Sequence, residues 1–191
     1  STPSNSSAAS DVYKRQVTGL SGAGKSMAVN ALEDIGFFCI DNIPAGLLPR
    51  ILDFAQQGEN QLSRVAVVMD IRGLHSVQET NEALEALDEK KMPYDILFLD
   101  ASDAAIRRRY KETRRVHPMT ISEGIPVSEA ITKERQILQP LRERAKYVID
   151  TSLLSTAQNR ERVSSLFLQK GQCAMSINVV SFGFKYGLPQ E

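Results

Sequence analysis

Val65-Ala66-Val67-Val68-Met69 is an unbroken apolar run, and the chain repeats the pattern in Ile96-Leu97-Phe98-Leu99. Phe37-Phe38-Cys39-Ile40 and Tyr147-Val148-Ile149 are shorter versions. A strand with one wet face alternates apolar and polar residues, so a run that does not alternate must be covered on both sides. The expected strands are therefore Phe37 to Asp41, Arg64 to Asp70, Tyr94 to Asp100 and Tyr147 to Asp150. Stretches of helical spacing lie between them. Ala28, Ala31, Leu32 and Ile35 recur on one face and Gly36 follows as a stop; Ala83, Leu84 and Leu87 mark a helix over Ser76 to Lys91. Further helices are expected over Leu47 to Phe54, Asp103 to Val116, Ser128 to Ala145 and Thr156 to Gln169. Pro140 should kink or split the fifth of these, because proline lacks the amide hydrogen and clashes with the preceding turn. Buried strands interleaved with helices define the α/β class with a mostly parallel sheet.

The segment after Val17 carries the chemistry. Gly19-Leu20-Ser21-Gly22-Ala23-Gly24-Lys25-Ser26 satisfies the phosphate-loop pattern G-x-x-x-x-G-K-[ST]. Its glycines let the backbone wrap closely and aim amide hydrogens at phosphate oxygens, and the helix starting near Lys25 adds its positive end. Lys25 would reach the β- and γ-phosphates of ATP or GTP, and the Ser26 hydroxyl would bind Mg²⁺. A glycine-rich turn that only opens a helix meets the same spacing. From average composition, however, the full pattern arises by chance in a chain of this length less than about once in a hundred.

A second metal-binding group is expected at the carboxyl end of a strand, where the ligand crevice of an open α/β sheet lies. Asp70 ends the Val65–Met69 run and is the first choice, although Asp41 and Asp100 occupy similar positions. The run Arg107-Arg108-Arg109-Tyr110-Lys111-Glu112-Thr113-Arg114-Arg115 is strongly basic within a neutral protein. On a helix Arg107, Arg108, Lys111 and Arg115 share a face, which is simply solvated, a phosphate-contacting lid or, as a weaker option, a contact for RNA. His75 and His117 stand alone, with surface or supporting roles expected rather than metal binding.

Composition excludes several classes. With 42% hydrophobic and 24% charged residues and zero net charge, nothing points to non-specific binding of nucleic acid or membrane. Cys39 and Cys173 form neither a ligand cluster nor a disulfide framework, and Cys39 reads as a small buried hydrophobe. No apolar run is long enough to span a bilayer and no secretory pattern is visible, so a cytoplasmic location is expected. Residues 1–16 read as a disordered, non-native leader, since Lys14-Arg15-Gln16 is poor material for the central strand that should feed a phosphate loop. Residues 17–170 read as the domain itself. Residues 171–191, with a strand over Ile177 to Lys185, read as a linker and the start of a truncated C-terminal domain.

Several blocks together resemble the bacterial RapZ family. They are Val17-Thr18-Gly19 through Ser26, Ala31-Leu32-Glu33-Asp34-Ile35-Gly36-Phe37-Phe38-Cys39-Ile40-Asp41-Asn42-Ile43-Pro44, Asp70-Ile71-Arg72-Gly73, Leu97-Phe98-Leu99-Asp100-Ala101, Thr113-Arg114-Arg115-Val116-His117-Pro118 and Ser181 to Pro189. The resemblance implies a kinase-like P-loop NTPase domain, a three-layer sandwich, with weak ATPase and GTPase activity. Nucleotide contacts are then expected from Gly19 to Ser26 and from Asp70, Ile71, Arg72 and Gly73. Lys25 and Asp70 would serve catalysis, and Ser26 and Asp70 the Mg²⁺ ion. For the full-length family the resemblance implies a regulator that presents a small regulatory RNA to an endoribonuclease, and it leaves room for oligomerisation. A small-molecule kinase, transferring the γ-phosphate of ATP to a metabolite, is the competing reading. Asp41 and the arginine-rich helix both suit that reading.

Overall fold

The computed structural model describes residues 14–57, 64–69 and 74–168. The expectations for residues 1–13, for Asp70 to Gly73, and for the strand from Ile177 to Lys185 lie outside them.

Five strands form one parallel sheet: β1 (Lys14–Gly19), β2 (Phe38–Ile40), β3 (Val65–Val68), β4 (Asp95–Asp100) and β5 (Tyr147–Asp150). Their spatial order is β2-β3-β1-β4-β5. The strand feeding the phosphate loop is thus central, paired with β3 from Lys14 opposite Val65 and with β4 from Arg15 opposite Asp95. The helices are α1 (Lys25–Asp34), α2 (Leu48–Gln57), α3 (Leu74–Glu89), α4 (Asp103–Thr113), α5 (Pro118–Glu123), α6 (Val127–Arg144) and α7 (Thr156–Phe167). A 3-10 turn, Ala45–Leu47, leads into α2. β3 is buried at every position and β4 at all but its last, as their solid apolar runs require.

Four expectations need correction. Lys14, Arg15 and Gln16 lie in the central strand rather than in a disordered leader, because ladder bonds from β3 and β4 on both sides hold their backbone. Gln16 is accordingly buried. The second strand is an edge strand, so Phe38 is 53% exposed and Cys39 only half-buried. Pro140 does not split α6, which continues to Arg144. Pro140 and Gln136 are both exposed, so water can serve the carbonyl that lost its intrahelical partner. Arg115 does not share the face of Arg107, Arg108 and Lys111, because α4 ends at Thr113 and Arg114 turns left-handed at φ 53°.

Burial, and secondarily the charges of Glu33 and Asp41, push the Cys39 thiol up to about 12. Only thiolate reacts, so alkylation of Cys39 by iodoacetamide at pH 8 should run about a thousandfold slower than for a free thiol. Peptide-resolved mass spectrometry separates it from Cys173. A rate near that of a free thiol would show that the edge at β2 opens in solution.

Candidate functional site

The loop after β1 sits at the carboxyl end of the sheet, and its amides divide into two sets. Three face the protein: the Leu20 N–H donates to the Leu99 carbonyl (3.2 Å), Ser21 N–H to the Glu134 carboxylate (3.0 Å) and Ala23 N–H to the Leu20 carbonyl (3.0 Å). Those of Gly22, Gly24 and Ser26 take no partner among the described residues. Gly24 stands at φ 98°, and a Cβ there would lie 2.9 Å from Asn159 Nδ2, so glycine serves both the turn and the close approach of α7. The result is a concave row of amide hydrogens at the start of α1, a cradle suited to an anion. Lys25 Nζ donates to the Gly19 carbonyl (2.8 Å) across the loop, and Ser26 is exposed at the first turn.

A cavity of about 660 Å³ opens beside this cradle. The loop forms one wall, α4 with Arg108 and Arg109, followed by Arg115 beyond its end, another, and the β5–α7 connection with Thr151, Leu154 and Ser155 the third. Arg109 ties the walls together by donating to the Gly22 carbonyl (3.0 Å), the Thr151 hydroxyl (3.0 Å) and the Thr151 carbonyl. Thr151, fully buried, passes its own hydroxyl hydrogen to the Ala23 carbonyl (2.8 Å). Burial first, and the neighbouring Arg108 charge second, pull the Arg109 guanidinium below its ordinary value. That cation therefore gains from any anion brought nearby. Asp150 is held below the ordinary carboxylate range, chiefly by the Ser152 hydroxyl and Ser152 amide and less by Arg109. Asn159 Oδ1 is buried at the cavity edge and has no hydrogen-bond partner among the described residues.

Of the three acids expected at strand ends, Asp100 is committed elsewhere. Its carboxylate accepts from Arg135 Nη1 (2.8 Å), Arg142 Nε (3.1 Å) and the Ala101 amide (2.8 Å), which makes it an anchor for α6. Asp41 is exposed at the end of β2, and Asp70 lies outside the described residues. His117, expected at a surface or in a supporting role, is completely buried, with Nε2 3.2 Å from Glu134 Oε2.

Sequence reasoning missed Arg109, Glu134, Thr151 and Asn159 as individuals. A signal existed for two of them. Glu134 interrupts the apolar stripe Ala130, Ile131, Ile137, Leu138, Leu141 of α6, and Asn159 begins the buried row completed by Val163 and Phe167 on α7. A polar residue inside an apolar stripe must find partners in the interior.

The five-stranded parallel sheet, the glycine loop between β1 and α1, and the helices packed on it define a P-loop α/β fold of the kinase-like type. Residues 15–171 match the RapZ-like N-terminal domain, and the chain belongs to that family. A "nucleotide-binding protein" of Moorella thermoacetica is 49% identical over 179 residues, covering 92% of this chain and 58% of that protein. One of the same description from Caldicellulosiruptor bescii is 45% identical over 176 residues, covering 92% and 60%. The chain thus spans about three fifths of the length of these relatives. Among solved structures, the Deinococcus radiodurans tunicamycin resistance protein superposes with a TM-score of 0.53 at 17% identity, covering 81% of this chain and 95% of that one. A gluconokinase from Sinorhizobium meliloti gives 0.50 at 17% identity, covering 80% and 89%. At such identity these two speak for the fold alone. No helix among the described residues is long and apolar enough to cross a membrane.

Proposed function

We propose that this domain binds a nucleoside triphosphate, ATP or GTP, with Mg²⁺, and hydrolyses it slowly. The observation that carries the reading is the cradle itself, where the Gly22, Gly24 and Ser26 amides take no partner among the described residues and Lys25 and Arg109 stand on either side. A polyphosphate satisfies all of these groups at once. The cavity supports a place for ribose and base between α4 and the β5–α7 connection, and Asn159 Oδ1, with no partner among the described residues, would accept from a hydroxyl or amino group there. The metal, held by Ser26 and Asp70, would neutralise charge on the β- and γ-phosphates, while Lys25 leaves the Gly19 carbonyl to bind the same oxygens. Asp70 to Gly73 would complete the nucleotide contacts. The names of the relatives at 45–49% identity agree with nucleotide binding.

The test is a titration of fluorescent ATP and GTP analogues with Mg²⁺. Lys25→Ala should weaken binding by at least about tenfold, about 1.4 kcal/mol. Equal affinity in the variant would remove the phosphate loop from the account, and the two analogues rank the bases. The exposed carboxylate of Asp41 favours a second reading, in which a bound metabolite hydroxyl accepts the γ-phosphate. An acceptor screen decides: a kinase shows product formation well above the rate of hydrolysis in water. As part of a longer protein, the domain would act as the nucleotide-responsive half of a regulator of small-RNA processing that also contacts an endoribonuclease. RNA affinity that falls steeply with salt and drops on substitution of Arg114 and Arg115 would support that role.

A further inference from the structure

Against the phosphate loop, outside the residues that line the cavity, lies a buried polar cluster that nucleotide contact does not explain. Glu134 on α6 is 4% exposed and His117, the N-cap of α5, is 0% exposed. The carboxylate faces Ser21, whose N–H lies 3.1 and 3.0 Å from its two oxygens and whose Oγ–H donates to Oε1 at 2.6 Å. His117 faces the same group, with Nε2 3.2 Å from Oε2. The tautomer follows from the other ring nitrogen. His117 Nδ1 accepts the Met119 N–H (3.2 Å), so it carries no proton, and the hydrogen of the neutral ring sits on Nε2, directed at Glu134. Glu134 thus meets three donors and, among the described residues, no acceptor.

A buried carboxylate ringed by donors is a costly feature, and losing one partner strands the rest. Its position indicates what it does. The inward-bonded amides of Leu20, Ser21 and Ala23 are flanked by those of Gly22 and Gly24, which take no partner among the described residues, and Ser21 is the inward residue just before Gly22. Glu134 is the Ser21 amide's partner, a residue 113 positions away on another element. Holding that peptide inward sets the hand of the turn at Gly22, φ 83°, and so aims the following amides at the cavity before any ligand arrives.

We infer that Glu134, with its orientation supplied by His117, is a positioning residue of the phosphate loop: it preorganises the amide cradle from behind without touching the nucleotide. The inference rests on the nucleotide reading and adds to it the source of the loop's rigidity.

The experiment pairs nucleotide titration with amide NMR on the ¹⁵N-labelled chain. In Glu134→Gln, of nearly equal size, the amide group offers one acceptor where two were used and turns a donor toward Ser21 or His117. The Ser21 amide resonance should lose the downfield shift of a charge-assisted bond, and nucleotide Kd should rise at least about tenfold, about 1.4 kcal/mol. Lys25→Ala should lower affinity as well but leave the Ser21 resonance in place. A merely structural Glu134 would lower the melting temperature while the folded variant bound nucleotide normally. A changed Ser21 resonance with Kd within about twofold of wild type would therefore overturn the inference. Should Glu134→Gln not fold, Ser21→Ala decides: it removes only the hydroxyl donor, a Kd raised about threefold or more is expected, and an unchanged Kd overturns the inference. A wild-type chain that binds no nucleotide, indistinguishable from Lys25→Ala, instead overturns the nucleotide reading beneath it.

Discussion

Gly19→Ala is expected to lower the unfolding free energy by about 3 kcal/mol or more, from steric overpacking and backbone strain together. A Cβ at Gly19 would lie 2.2 Å from the Leu99 carbonyl oxygen, 2.8 Å from its nitrogen and 2.9 Å from its carbonyl carbon. All three are backbone atoms of β4, so no rotamer change relieves the clash. The backbone at φ 147° is also one that side-chain-bearing residues rarely adopt. Relief requires separating β1 from β4 where Gly19 pairs with Leu99, and the Leu20 amide bond to the same carbonyl breaks with it. Urea unfolding of the wild type and variant measures the loss. A change below about 1 kcal/mol would mean that the strand ends part more easily than the close packing of such interiors allows.

Gln16→Leu should act in the opposite direction and raise stability by about 2 kcal/mol, since each buried polar group left unsatisfied costs about 1–3 kcal/mol. Gln16 is 3% exposed in the central strand, and neither its Oε1 nor its Nε2 finds a hydrogen-bond partner among the described residues. The adjoining cavity is about 10 Å³, lined by Leu48, Leu52, Val67, Leu84, Leu87 and Tyr94. It is barely the size of one water and offers that water few polar partners. Leucine is close in volume and suits an apolar setting. For a chain of this size the gain corresponds to a melting temperature higher by about 4–8 °C. No gain, or a loss, would show that the Gln16 amide finds partners in solution. Such a polar residue at the centre of the sheet is the physical substance behind the poor strand pattern of Lys14-Arg15-Gln16: the ladder bonds on both sides hold the backbone there despite the side chain.

Those two positions also mark how far local sequence reaches. The apolar runs of β3 and β4 announced strands buried on both faces, and Gly36 announced the end of α1, which stops at Asp34 with Gly36 left-handed at φ 86°. The phosphate-loop spacing placed a helix at Lys25. Each of these is a local matter: side-chain periodicity against one face, or a dihedral that only glycine tolerates. The same kind of signal went wrong where neighbours in space decide. Phe38 is exposed because β2 is an edge strand, and strand order is not written in any one strand. Arg115 left its expected face because α4 stops early, with Arg114 in the left-handed region.

By itself, then, the order of residues determined the α/β class and the glycine loop that opens α1, since both follow from runs of a few residues. The central place of the loop-feeding strand, whose residues read as a leader, came from its pairing with β3 and β4. The tertiary structure alone also decided what stands around the anion cradle. Thr151 bonds to Ala23 across 128 positions, Glu134 to Ser21 across 113, and Arg109 to Gly22 across 87. These pairs meet because β4 and β5 lie in order beside β1, which brings α4, α6 and the β5–α7 connection to the same end of the sheet. Nothing in the neighbourhood of an arginine or a glutamate states which loop it will face, because that depends on how strands far apart in the chain pair and how helices then cover them.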